Sequence, residues 1–218
     1  MKKAASEENR PAMEAYMKHH FPFYGIKSPQ RKEVLSPYLR TAGKLPYEQS
    51  IHLVYSLWKR REREFQYAAL AIFEKQKKNL PITAKEDILY FVTHKSWWDT
   101  VDHLASHMSG AYFQHYPELL SSTLQQWITD ENMWVRRTAL LTQLKYKDKT
   151  NKDLLFYLIE ECMDENEFFI EKAIGWALRE YSKTDSEAVE SFVARQSLAK
   201  LSEREALKWL QNQRRKQK

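Results

Sequence analysis

Apolar residues recur along this chain at three- and four-residue spacing, as in Leu154, Leu155, Leu158 and Ile159, and no segment alternates at period two. The pattern predicts an all-α fold. Thr83-x-x-Glu86, Ser96-x-x-Asp99, Thr150-x-x-Asp153, Thr184-x-x-Glu187 and Ser202-x-x-Glu205 each place a hydroxyl three residues before an acid. That spacing lets the hydroxyl satisfy an orphan N–H while the acid reaches back at the positive end of the helix dipole. Ser28 precedes Pro29, which suits a first helical position. The predicted helices run near 7–20, 29–41, 47–58, 62–78, 84–94, 97–109, 117–129, 132–147, 151–163, 167–182, 185–196 and 202–213. Their connections are short and no Ser/Gly-rich linker interrupts them, so 1–218 is expected to form one domain with a flexible basic tail over 214–218.

A longer period lies beneath the helical one. EFQYAALAIF, DTVDHLASHM, VRRTALLTQL and IEKAIGWALR follow each other at about 35 residues with a common polar-then-apolar order. Phe65, Val101, Val135 and Ile170 share one phase, and Ala69, Ala105, Ala139 and Ile174 another. Two helices per unit at this interval predict a right-handed, HEAT-like solenoid whose second helices line a concave groove. An irregular helical bundle is the alternative.

Composition narrows the function classes. A 43% hydrophobic and 13% aromatic chain can build a core, and only 4 Gly and 7 Pro argue against a turn-rich β fold. The single Cys excludes a disulfide framework and a multi-cysteine zinc site. Without an apolar run of membrane length or a signal-like start, the expectation is a soluble cytoplasmic protein. A formal charge of +6 is compatible with a polyanionic partner.

Candidate chemistry sits on the polar face of the repeating helices. Gln66, Asp102, Arg137 and Lys172 face away from the apolar stripe, with Arg136 and Arg179 nearby and Trp98, Trp134 and Trp176 interleaved. Cations with flat aromatic faces can hold phosphates and pack on nucleosides, whereas the plainer reading makes these tryptophans core, as expected for Trp97 and Trp127. Asp99 has a capping task. Asp102, one turn after Trp98, has none, and a carboxylate in a phosphate-binding groove implies a positive charge to stabilise; an ordinary solvated Asp is the alternative. His103-x-x-x-His107 could hold a metal with Asp99, but the spacing lacks a metal-site signature and no metal is expected. Cys162 reads as a small buried residue, and no glycine-rich phosphate loop exists.

The strings HHFPFYGIKSPQRK (19–32), EREFQYAAL (62–70), KSWWDTVD (95–102), NMWVRRTALLTQLKYK (132–147), EFFIEKAIGWALREY (167–181) and LSEREALKWL (201–210) resemble the DNA alkylation repair family of HEAT-like alkylpurine DNA glycosylases, the AlkD type. The resemblance implies a C-shaped stack of repeats that holds duplex DNA and excises positively charged N3- or N7-alkylated purines. A monomer without a cofactor is the separate expectation for this chain. The resemblance makes Asp102 the catalytic acid, Trp98 and Trp176 the aromatics beside the lesion, and Arg137 the groove arginine. Phe168, Phe169 and Lys172 become further DNA-facing positions, with Arg136 beside Arg137 blurring which arginine meets a phosphate. A non-catalytic helical scaffold binding DNA or protein is the competing class.

Overall fold

Burial of the predicted stripes produces an all-helical chain in the computed structural model, which describes residues 1–216 and contains no strand among them. Packing separates two compact units, Met1–Pro81 and a second beginning at Ile82. No described helix is long and apolar enough to cross a membrane.

The first unit comprises α1 (Arg10–Tyr16), α2 (Ser28–Ala42), α3 (Tyr47–Trp58) and α4 (Arg63–Phe73), with α4 packed on α2 and α3. Val54, Trp58, Ala69 and Phe73 fill its core. The start of α4 anchors the loop before α2. Buried Glu64 accepts the amides of Tyr24 and Ile26 at 3.1 and 3.0 Å, and the Arg63 guanidinium lies 3.8 Å over the Phe21 ring. Between those amides Gly25 adopts φ +80, where a Cβ would also stand 2.1 Å from the Ser6 carbonyl oxygen. Gln66 departs from expectation. It is fully buried, and its side-chain amide donates to the carbonyls of Trp58 and Arg60 at 3.0 and 2.8 Å. It therefore satisfies orphan acceptors at the end of α3 and does not face a groove.

The second unit contains α5 (Ala84–Thr93), α6 (Trp98–His103), a π-helical turn over Leu104–Ser109 that continues into α7 (Gly110–His115), α8 (Leu120–Ile128), α9 (Met133–Leu141), α10 (Lys152–Glu160), α11 (Phe168–Tyr181), α12 (Ser186–Arg195) and α13 (Lys200–Lys216). Successive long-period helices are neighbours: α6 packs on α9, α9 on α11 and α11 on α13. The shared phases survive as burial, since Val101, Val135, Ile170, Ala105, Ala139 and Ile174 are all core.

Helix ends differ from the predicted boxes. Asn151 and Asp185, one residue after the expected hydroxyls, accept the amides of Leu154 and Ala188, and Asn132 accepts that of Trp134. These amide and carboxylate oxygens outcompete the neighbouring threonines as caps. The Ser96 hydroxyl turns back to the Val92 carbonyl at 2.6 Å. The helix expected to stop at 109 runs on through Gly110, whose missing side chain admits the Thr142 carbonyl; a Cβ there would lie 2.9 Å from it. At the C-terminus, α13 includes Arg214, which pairs with Glu190 at 2.5 Å, so the expected flexible tail is helical to Lys216. Residues 217–218 of that tail lie outside the described residues.

Gly175 lets α11 and α13 approach closely. A Cβ on it would meet Glu205 Cβ at 2.6 Å and the Ser202 carbonyl oxygen at 2.9 Å, and Ser202 Oγ donates across to the Glu171 carbonyl at 3.0 Å. Ser202 is thus inside α13 and joined to α11, not a cap. Gly175→Ala gains up to about 1 kcal/mol of helix propensity but forces backbone apart, an overpacking cost of about 1–3 kcal/mol. We expect the melting temperature to fall by about 2–6 °C. A rise measured by circular dichroism would mean that α13 yields without cost.

Candidate functional site

Four elements of the second unit converge on one cleft of about 350 Å³. From α6 come Trp98 and Asp102, from α9 Arg137, from α11 Phe168, Phe169, Lys172, Trp176 and Arg179, and from α13 Glu205. The i, i+4 spacing of Trp98 and Asp102 brings ring and carboxylate to one face as the sequence predicted. Trp98 and Trp176 are half-buried and both line the cleft. Trp127 is core as expected, but Trp97 is only half-buried. It packs on Trp134 and Phe169 with centroids 5.7 and 5.2 Å away, and Trp134 closes the triangle 5.0 Å from Phe169. Phe168, 59% exposed, stands at the cleft's lip.

The centre of the site is a two-pronged ion pair. Arg137 Nε donates to one Asp102 oxygen at 2.7 Å and Nη2 to the other at 2.8 Å. Arg137 Nη1 donates to the Phe169 carbonyl, which ties α9 and α11 to the pair. The side chains are 5% and 15% exposed respectively. Burial lifts the Asp102 carboxyl above its ordinary value, against the opposing hydrogen bond and charge of Arg137, with Asp99 adding a smaller upward push. Two residues after Asp102 the backbone passes into the π turn, and the Ser106 hydroxyl donates to the Asp102 carbonyl at 2.7 Å. Such turns often occur at functional positions.

The neighbouring cations divide into structural and available groups. Arg136 forks Glu165 at 3.0 and 2.7 Å and donates to the carbonyls of Asp130 and Glu131. It joins the loop before α9 to the loop before α11, which corrects its expected place in a groove. Arg137 is engaged with Asp102 rather than turned outward to meet an anion. Lys172 and Arg179, 36% and 26% exposed, remain at the cleft, each paired with one oxygen of Glu205 at 3.0 and 2.6 Å.

Outside the cleft, the His103 and His107 rings stack 4.3 Å apart, and Lys145 hydrogen-bonds His107. Cys162 is buried with its thiol pushed up to about 12 by desolvation, so it is no thiolate nucleophile at neutral pH. Two features escaped the sequence reading. Glu205 resembled a capping acid, because its partners on α11 meet it only in the tertiary fold. The Asp102–Arg137 pairing had a visible signal: their separation of 35 equals the repeat interval, which sets equivalent positions of adjacent repeats side by side. Chemically, the cleft combines partly exposed cations with an ionisable carboxylate and two tryptophans.

Comparison with known proteins agrees with this arrangement. The sequence profile described as DNA alkylation repair enzyme matches residues 1–210. A solved structure described as a predicted DNA alkylation repair enzyme from Enterococcus faecalis is 35% identical, covers 94% of this chain and 96% of its own, and superposes with a TM-score of 0.87. No curated protein matches.

Removing one partner of the central pair should be costly. Arg137→Ala leaves the Asp102 carboxylate desolvated and should lower stability by about 3 kcal/mol at pH 8. A carboxyl with its folded pKa raised takes up protons on folding, so stability falls as pH rises through that range. The deficit should therefore shrink as pH falls towards 5. Urea midpoints at the two pH values test this, and an equal loss at both would mean that the arginine contributes packing alone.

Proposed function

The chain belongs to the DNA alkylation repair enzyme family, and from that premise we propose that it is a DNA glycosylase hydrolysing the N-glycosidic bond of N3- and N7-alkylated purines in duplex DNA. The observation that carries the reading is Asp102, a carboxylate fixed beside Trp98 inside a cleft whose outer cations suit a phosphate backbone. A protein that only grips phosphates gains nothing from that charge.

Alkylation at N3 or N7 leaves the purine cationic. When the C1′–N9 bond breaks, its electron pair goes to the base, which departs neutral, and the deoxyribose acquires oxocarbenium character. Asp102 stabilises that developing charge more in the transition state than in the ground state. Water then adds to C1′ and releases its proton to solvent, while the Asp102 carboxylate orients it. Trp98 and Trp176 contribute cation–π attraction of about 0.5–2 kcal/mol each towards sugar and base.

Arg137 acts here through Asp102. Its fork takes two of the carboxylate's roughly four acceptor positions, fixes its plane and favours its ionised form, leaving the remaining lone pairs for the substrate. Phosphate contact falls instead to Lys172 and Arg179. The cationic lesion supplies its own leaving-group activation, so this chemistry has no need of an acid placed to protonate the base, nor of a Schiff-base lysine.

Asp102→Asn should lower single-turnover base release from methylated duplex at least about 100-fold, with binding to undamaged duplex equal or tighter. Because the ionised carboxylate is the active form and its pKa is raised, the parent rate should decline through an acid limb above the ordinary carboxylate range. That limb should vanish in Asp102→Asn. Release within threefold of the parent would remove Asp102 from the mechanism and favour a non-catalytic scaffold.

A further inference from the structure

Lys172 and Arg179 lie two turns apart on α11, a rise of about 10.5 Å, with Trp176 between them. Their charged heads nevertheless converge. One Glu205 oxygen accepts Lys172 Nζ at 3.0 Å and the other accepts Arg179 Nη1 at 2.6 Å. The carboxylate is delivered by packing rather than by flexible reach, since Glu205 Cβ sits where a Gly175 side chain would be. Glu205 is only 12% exposed on its side chain, while both cations stay open to the cleft.

Two anionic oxygens presented to a Lys and an Arg at these distances are what one backbone phosphate would present. With Arg137 committed to Asp102, these are the two cations of the cleft able to receive such a group. We propose that Lys172 and Arg179 form a phosphodiester-binding site that Glu205 occupies in the free protein, as an internal competitor for the DNA backbone. The proposal rests on the DNA-binding reading above. Hydrogen bonding to Lys172, then the charges of Lys172, Arg179 and Lys208, hold the Glu205 carboxyl below its ordinary value against desolvation, so the competitor is ionised at neutral pH. Its consequence is lowered grip on undamaged duplex. An internal anion subtracts affinity that is independent of sequence and damage, which shortens residence at sites with nothing to excise.

The test is Glu205→Gln, which keeps the Cβ contact and the side-chain length. Fluorescence anisotropy with an undamaged duplex, read from about 50 to 300 mM salt, should show binding at least about threefold tighter than the parent. The slope of log affinity on log salt should steepen by about one contact. In a Lys172→Ala/Arg179→Ala background the same substitution should change neither quantity. Equal or weaker binding by Glu205→Gln would make the carboxylate a structural bracket and overturn the proposal. Equal tightening in the doubly substituted background would overturn it too, by showing a general charge effect. Failure of the parent to bind duplex would contradict the functional reading itself, whereas parent binding with an unaffected Glu205→Gln rejects the competitor alone.

Discussion

A carboxylate placed in a largely desolvated cleft resists ionisation, and the arrangement around Asp102 follows from that constraint. Arg137 answers it with two parallel hydrogen bonds, and its third nitrogen reaches the Phe169 carbonyl. Three neighbouring helices, α6, α9 and α11, are thereby joined at one point. The fork needs α6 and α9 to lie side by side with residues 35 apart facing each other, in keeping with the long period of the sequence. Because Arg137 is buried and Asp102 largely so, neither can be lost without stranding the other.

The surrounding charges form a second layer with a different purpose. Arg136 is consumed by loop closure through Glu165, and Arg137 by Asp102, so sequence adjacency of two arginines conceals two unrelated tasks. Lys172 and Arg179 are balanced by one Glu205. With Asp102–Arg137 neutral as a pair, the five ionised groups leave the cleft a net +1, attractive to phosphate without a large unscreened field. That balance suits the proposed chemistry, in which the local negative charge must face a cationic sugar and the outer positive charge a polyanion.

Much of this was legible in the sequence because it rests on period and face. The helices, the buried phases at Val101, Val135 and Ile170, and the common face of Trp98 and Asp102 all follow from local spacing. What escaped depends on partners distant in sequence. Gln66 shares the polar phase of the site yet is drawn inward by unsatisfied carbonyls at the end of α3. Thr150 and Thr184 fit the capping pattern, but stronger acceptors stand one residue later. The π turn after Asp102 has no sequence signature at all, and Glu205 acquires its role only when Gly175 lets α13 close on α11.

In the proposed reaction a fixed carboxylate, without a base-reading acid, removes purines that already carry positive charge. Chromatography of the bases released from duplex DNA by the purified protein tests this most directly. Free 3-methyladenine or 7-methylguanine is expected from methylated duplex, with no release of uracil or hypoxanthine, whose neutral rings require protonation or strong hydrogen bonding to leave. Efficient release of either neutral base, or none from methylated DNA, would contradict it.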